Sequence, residues 1–149
     1  MILNAIFCYP QDKSEMKNIN IIFTINNEIT FNLRDFKILN EKGEFIGRAE
    51  YMPGVFLLEE YIYQKIMSDN TISYITFNDV LEIGESKVHQ YKIPLNSTIL
   101  NKEDDKYFYC VIALFNRYNR KFKNRFKNKP RDKKYVYDIF LQGYSILDN

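Results

Sequence analysis

The sequence predicts an α+β fold: an antiparallel, barrel-like β-sheet carrying one short helix and one long basic C-terminal helix, followed by a closing strand. Three observations carry this expectation. The first hundred residues fall into short Ile-, Phe- and Tyr-rich runs separated by turn residues. Residues 55–67 break into helical spacing. Apolar and aromatic residues at 111, 115, 118, 122 and 126 step by 4, 3, 4 and 4, which is one stripe of an α-helix.

The elements follow in order. Ile2–Tyr9 reads as a first strand ending at Pro10, and residues 11–18 as a polar loop. Ile19–Ile25 and Ile29–Leu33 flank Asn26-Asn27, and asparagine tolerates positive φ, so a tight hairpin is predicted. Phe36–Leu39 and Glu44–Tyr51 flank Asn40-Glu41-Lys42-Gly43, a second hairpin with Gly43 suited to a left-handed position. Pro53-Gly54 then opens the short helix, Val55–Met67, which ends at Ser68-Asp69-Asn70. Thr71–Phe77, Val80–Ile83 and Val88–Leu95 return to strand, with Gly84-Glu85-Ser86 as a turn.

The nine apolar residues Tyr107–Phe115 have strand-like content, but their continuity with the stripe favours a helix from about 103 to 128. Glu103, Asp104 and Asp105 would sit in its first turn and the cations in its last, both matched to the helix dipole. Asn101 would cap it and Pro130 stop it. Tyr135–Leu147 closes the sheet as one strand bent at Gly143.

The length, 149 residues, suits one domain, 1–149, with a core large enough to need neither metal nor disulfide. A charged fraction of 27% argues against global disorder. No export signal or run long enough to span a membrane is seen, so a cytoplasmic protein is expected. Cys8 and Cys110 read as buried reduced thiols.

Charge is the feature that points outward. Residues 117–134, RYNRKFKNRFKNKPRDKK, hold ten of the 21 Lys and Arg and one acid, a charge of +9. The remaining 11 cations and 18 acids leave −7 elsewhere. Arg117, Arg120, Lys121, Lys123, Arg125, Lys127, Lys129, Arg131, Lys133 and Lys134 are therefore the candidate binding residues, with Asn116, Asn119, Asn124 and Asn128 as neutral hydrogen-bonding groups among them. Phe122 and Phe126 are expected buried beneath exposed Arg120, Lys123 and Lys127.

The function expected is that of a small non-enzymatic binding protein whose basic helix engages a polyanion, nucleic acid foremost. The alternative is a stoichiometric inhibitor or adaptor, of the toxin-neutralising immunity or phage counter-defence type, docking on an acidic protein surface. A homodimer is compatible with the charge division. A solvated face neutralised by the −7 elsewhere is the plainer alternative.

The sequence offers no catalytic signature. His89 is the single histidine, which rules out a histidine-rich metal site. Asp79, Glu82 and Glu85 stand three apart across a strand and turn, a spacing that does not gather them on one face, so a small metal-dependent nuclease stands only as a further alternative. Gly43–Gly47 lacks the Gly-Lys-Ser/Thr of a phosphate loop. No cofactor is implied.

Overall fold

A computed structural model of the chain describes residues 15–69, 72–80, 88–100, 109–141 and 144–147. Two sheets face each other across one apolar core. The first has six strands, β1 (Met16–Ile19), β4 (Leu33–Leu39), β5 (Phe45–Met52), β6 (Val55–Glu59), β7 (Ser73–Val80) and β8 (Val88–Leu95), in the spatial order β1-β6-β5-β4-β7-β8. The second has five, β2 (Ile21–Ile25), β3 (Glu28–Ile29), β9 (Cys110–Asn116), β10 (Tyr135–Leu141) and β11 (Tyr144–Leu147), in the order β11-β10-β9-β2-β3.

The expected barrel-like antiparallel sheet is therefore wrong on two counts. The strands form two open sheets, and β2 pairs with β9 in parallel, Ile21 opposite Cys110 through Ile25 opposite Leu114. The chain changes sheets at Asn20, whose carbonyl accepts from the Cys110 N–H at 2.9 Å.

Phe23 stands at the centre. Its ring meets Phe77 at 4.8 Å, Phe36 at 5.7 Å and Phe56 at 6.4 Å, all from the opposite sheet. Tilted pairs of this kind add directional attraction to a large apolar area. Two tyrosines bridge the sheets at one edge. Tyr135 in β10 donates to the Lys92 carbonyl at 2.9 Å and accepts from the Lys92 N–H at 2.6 Å. Tyr91 in β8 donates to Asn116 Oδ1 in β9 at 2.9 Å.

The hairpin turns follow from local chemistry. Asn26 and Asn27 both take positive φ, 53° and 70°, as a two-residue β-turn needs. Gly43 sits at φ 83°, and Asn40 and Glu44 bond across the same turn at 2.7 and 2.9 Å. Pro53-Gly54 is a turn too, not a helix start. Gly54 is at φ 85°, and proline followed by left-handed glycine joins β5 to β6. Val55–Glu59 is thus a strand with Phe56 and Leu58 buried on alternate positions, and the helix α1 spans only Glu60–Asp69. It packs through Ile62, Tyr63 and Ile66. Gly47 makes that seat, since a Cβ there would collide with Ile62 Cδ1. A second helix, α2 (Ser97–Leu100), is capped by Asn96 Oδ1, which accepts from the Ile99 N–H at 3.1 Å.

The largest correction concerns the long helix. Cys110–Asn116 is a central strand, and no long C-terminal helix exists among the described residues. A central strand covered on both faces needs no polar alternation, which explains the unbroken apolar run. Tyr135–Leu147 is not one bent strand but the antiparallel pair β10–β11. The predicted strand Ile2–Tyr9, the turn at Gly84-Glu85-Ser86, and Gly143 lie outside the described residues; so do Asn101 and the acids at 103–105.

Candidate functional site

The basic segment 117–134 is the connection between β9 and β10. Asn116 pairs with Tyr135, and the Arg117 N–H donates to the Lys134 carbonyl at 2.9 Å, closing the neck of the loop. Inside it the backbone makes a turn, a 3₁₀ helix over Arg120–Phe126, and two further turns. Asn119 caps that helix, its side-chain oxygen accepting from the Lys121 N–H at 3.1 Å.

The loop is ordered by a small core of its own. Ala113, Phe115 and Val136 point to the outer face of the second sheet, where Phe126 is buried against them and Phe122 half-buried. The Phe115 and Phe122 rings lie 4.9 Å apart. The stripe read as helical therefore meets by folding back, with Phe115 in the strand and Phe122 and Phe126 returning over it. Tyr118 departs from it altogether: it is 54% exposed and stacks on His89 at 4.9 Å.

The ten candidate cations divide into three groups. Arg117 and Arg125 act inward. The Arg117 Nε donates to the Lys133 carbonyl at 2.6 Å, its Nη2 to the Pro130 carbonyl, and its guanidinium lies 4.7 Å from the Phe126 ring centre. Arg125 bonds and ion-pairs with Asp138 Oδ2 and covers the Phe115 ring at 3.9 Å. Both guanidiniums fasten the loop to itself or to the sheet. Arg120, Lys121, Lys123, Lys127, Arg131 and Lys134 are exposed, and Lys129 and Lys133 half-buried. Phe126 lies buried beneath exposed Arg120, Lys123 and Lys127 as expected, whereas Phe122, expected buried too, is only half-buried. Arg117, Arg120, Lys123, Asn124 and Lys127 surround a groove of about 410 Å³ floored by Phe126.

A second polar assembly lies beside the start of the loop, and sequence reading missed it. Asn116, almost wholly buried, is its hub. Its Nδ2 donates to the Tyr118 hydroxyl at 2.7 Å, its Oδ1 accepts from Tyr91, and its N–H donates to Asn26 Oδ1 at 3.0 Å. Asp79 and His89 face one another across β7 and β8. Burial raises the Asp79 carboxyl above its ordinary value, with His89 pulling the other way. Burial also raises the Tyr91 and Tyr118 hydroxyls, and Asp79 adds to both shifts.

A cleft of about 460 Å³ opens alongside, lined by Asn26, Thr30, Phe31, Asn32, Asp79 and Asn119 among others. Phe31 stands at it 79% exposed.

Of the carboxylates considered for a metal, Asp79 is placed here, while Glu82 and Glu85 lie outside the described residues. Among the described residues no three His, Cys, Asp or Glu side chains gather to hold a metal ion. No described helix is long and apolar enough to cross a membrane. Cys110 is a buried free thiol whose pKa burial pushes up to about 12; Cys8 lies outside the described residues.

No family model matches the chain, and comparisons with curated proteins and with solved structures find no match either.

Proposed function

We propose that the chain is a non-enzymatic binding protein of the cytoplasm whose working surface is the loop 117–134 and whose partner is nucleic acid, held mainly through its phosphates. The observation that carries this reading is the division of labour among the cations. Arg117 and Arg125 are engaged in fixing the loop, while Arg120, Lys121, Lys123, Lys127, Arg131 and Lys134 project from it, with Asp132 the one acid in the segment. A charged surface held rigid in advance loses less entropy on binding than a basic tail.

Salt dependence tests it. Six phosphate contacts on duplex DNA give a slope of log K against log salt of about −5. Changing Arg120, Lys123 and Lys127 together to glutamate should flatten that slope by about 3 or more and weaken every sequence alike. Failure of duplex and single-stranded probes to bind at low salt would exclude nucleic acid.

A second reading, the stoichiometric inhibitor or adaptor, draws support from the groove floored by Phe126, a shape that suits a protein side chain. It predicts a partner recovered from the host after nuclease treatment and lost with the same triple reversal. Recovery by the triple variant would sink the loop as the docking site.

A further inference from the structure

We propose that the cleft between the β2–β3 hairpin and the start of the basic loop takes an unpaired nucleobase, guanine by preference, from a single strand whose phosphates lie along that loop. This deepens the phosphate-binding reading and rests on it.

Position is the first argument. Asn119 both lines the cleft and caps the 3₁₀ helix, so Arg120 and Lys121 follow immediately from the cleft wall. A strand with its backbone on those cations has its bases within reach of the cleft. The volume, about 460 Å³, falls within the roughly 300–1,000 Å³ of ligand pockets.

Exposed aromatic surface is the second. Phe31 is the most exposed large apolar side chain of the described residues. Tyr118 is half-exposed and already stacked on His89. Aromatic faces beside a cationic track are how single strands are held, because every base presents a π face and only unpaired bases can offer it.

Hydrogen-bonding capacity is the third. Asp79 is 4% exposed, lines the cleft, and faces His89 across the β7–β8 pair. A nearly buried acceptor lining a cleft is matched by adjacent N–H donors, and guanine presents two side by side at N1 and N2. Asn26 and Asn119 have their oxygens engaged, by the Asn116 and Lys121 N–H groups. Both residues line the cleft and each carries an amide NH₂ donor, suited to guanine O6 or to sugar and phosphate oxygens.

Fluorescence anisotropy at low salt tests this, with a strand of isolated guanines among thymines, an all-thymine strand, the guanine strand annealed to its complement, and guanosine monophosphate. The guanine strand should bind tightest. Phe31→Ala, which removes an exposed ring and leaves the core untouched, should weaken strand binding about 5- to 100-fold and spare the duplex. Asp79→Asn should abolish the preference for guanine over thymine.

Equal binding of strand and duplex, unaffected by Phe31→Ala but lost on the Arg120/Lys123/Lys127 reversal, overturns the cleft and leaves the phosphate-binding reading standing. Guanosine monophosphate binding as tightly as the strand makes the cleft a free-nucleotide site and overturns the strand inference. No binding of any probe overturns both readings.

Discussion

Replacing Arg125 with alanine isolates the role of the pinned loop. The Asp138 side chain is 4% exposed, its Oδ1 has no hydrogen-bond partner, and Arg125 bonds its Oδ2. Removing one member of a fully buried pair costs about 3–5 kcal/mol, because the charge left behind is unpaired in a poor solvent. Arg125 itself is 36% exposed, so water beside it screens the pair and lowers this to about 2–3 kcal/mol. The lost contact over Phe115 adds about 0.5–1 kcal/mol. The expected loss is about 2.5–4 kcal/mol, a large part of a stability of about 5–15 kcal/mol. For a chain of this length it lowers Tm by about 5–15 °C. Urea denaturation followed by circular dichroism measures it, with Arg120→Ala as a control expected within about 0.5 kcal/mol of wild type. Adding Asp138→Asn should recover at least about 1 kcal/mol, since the uncompensated charge is then gone. An Arg125→Ala protein as stable as wild type, or an Arg120→Ala protein equally damaged, would refute the assignment of Arg125 as a fastener.

Three further outcomes are expected. Gly47→Ala should destabilise by about 1–3 kcal/mol in the same assay, because the new methyl meets buried Ile62; an unchanged midpoint would show that α1 shifts freely. Asp79→Asn should stabilise the fold at neutral pH. Burial raises the native carboxyl's pKa above 3.8, so folding loses stability as pH rises through the raised value, and the variant's advantage should vanish as pH falls below the unfolded value. A variant less stable than wild type at neutral pH would contradict this. In a Cys8→Ser background, Cys110 should resist alkylation at mildly alkaline pH and react once urea unfolds the chain; rapid native labelling would contradict its burial.

Turn chemistry was readable because it is local. Asn26-Asn27 and Gly43 adopt the positive φ their residue types favour. Pro53-Gly54 was misread since the same pair serves a helix entrance and a β-turn, and Val55–Glu59 is too short for periodicity to decide. The false helix had a sharper cause. Phe115, Phe122 and Phe126 do gather on one surface, which is what their spacing implied, but a reversal at Arg117–Asn119 brings them together. Charge density located the loop, yet nothing local separated Arg117 and Arg125 from the exposed cations. Their partners, the Lys133 carbonyl and Asp138, lie 16 and 13 residues on. The assembly around Asn116 was less legible still, since its bond to Asn26 spans 90 residues and its parts come from separate strands.

The small core beneath the loop limits how the protein can be dissected. Ala113, Phe115 and Val136 belong to the sheet, and Phe122 and Phe126 are their cover. Excising 118–133 and joining β9 to β10 by a short turn would strip that cover and leave a hydrophobic strip on a pair of central strands, a surface prone to self-association. The deletion would abolish binding and solubility together, and its phenotype would say nothing about either alone. Charge reversal at the rim, with the phenylalanines kept in place, is the manipulation that separates them.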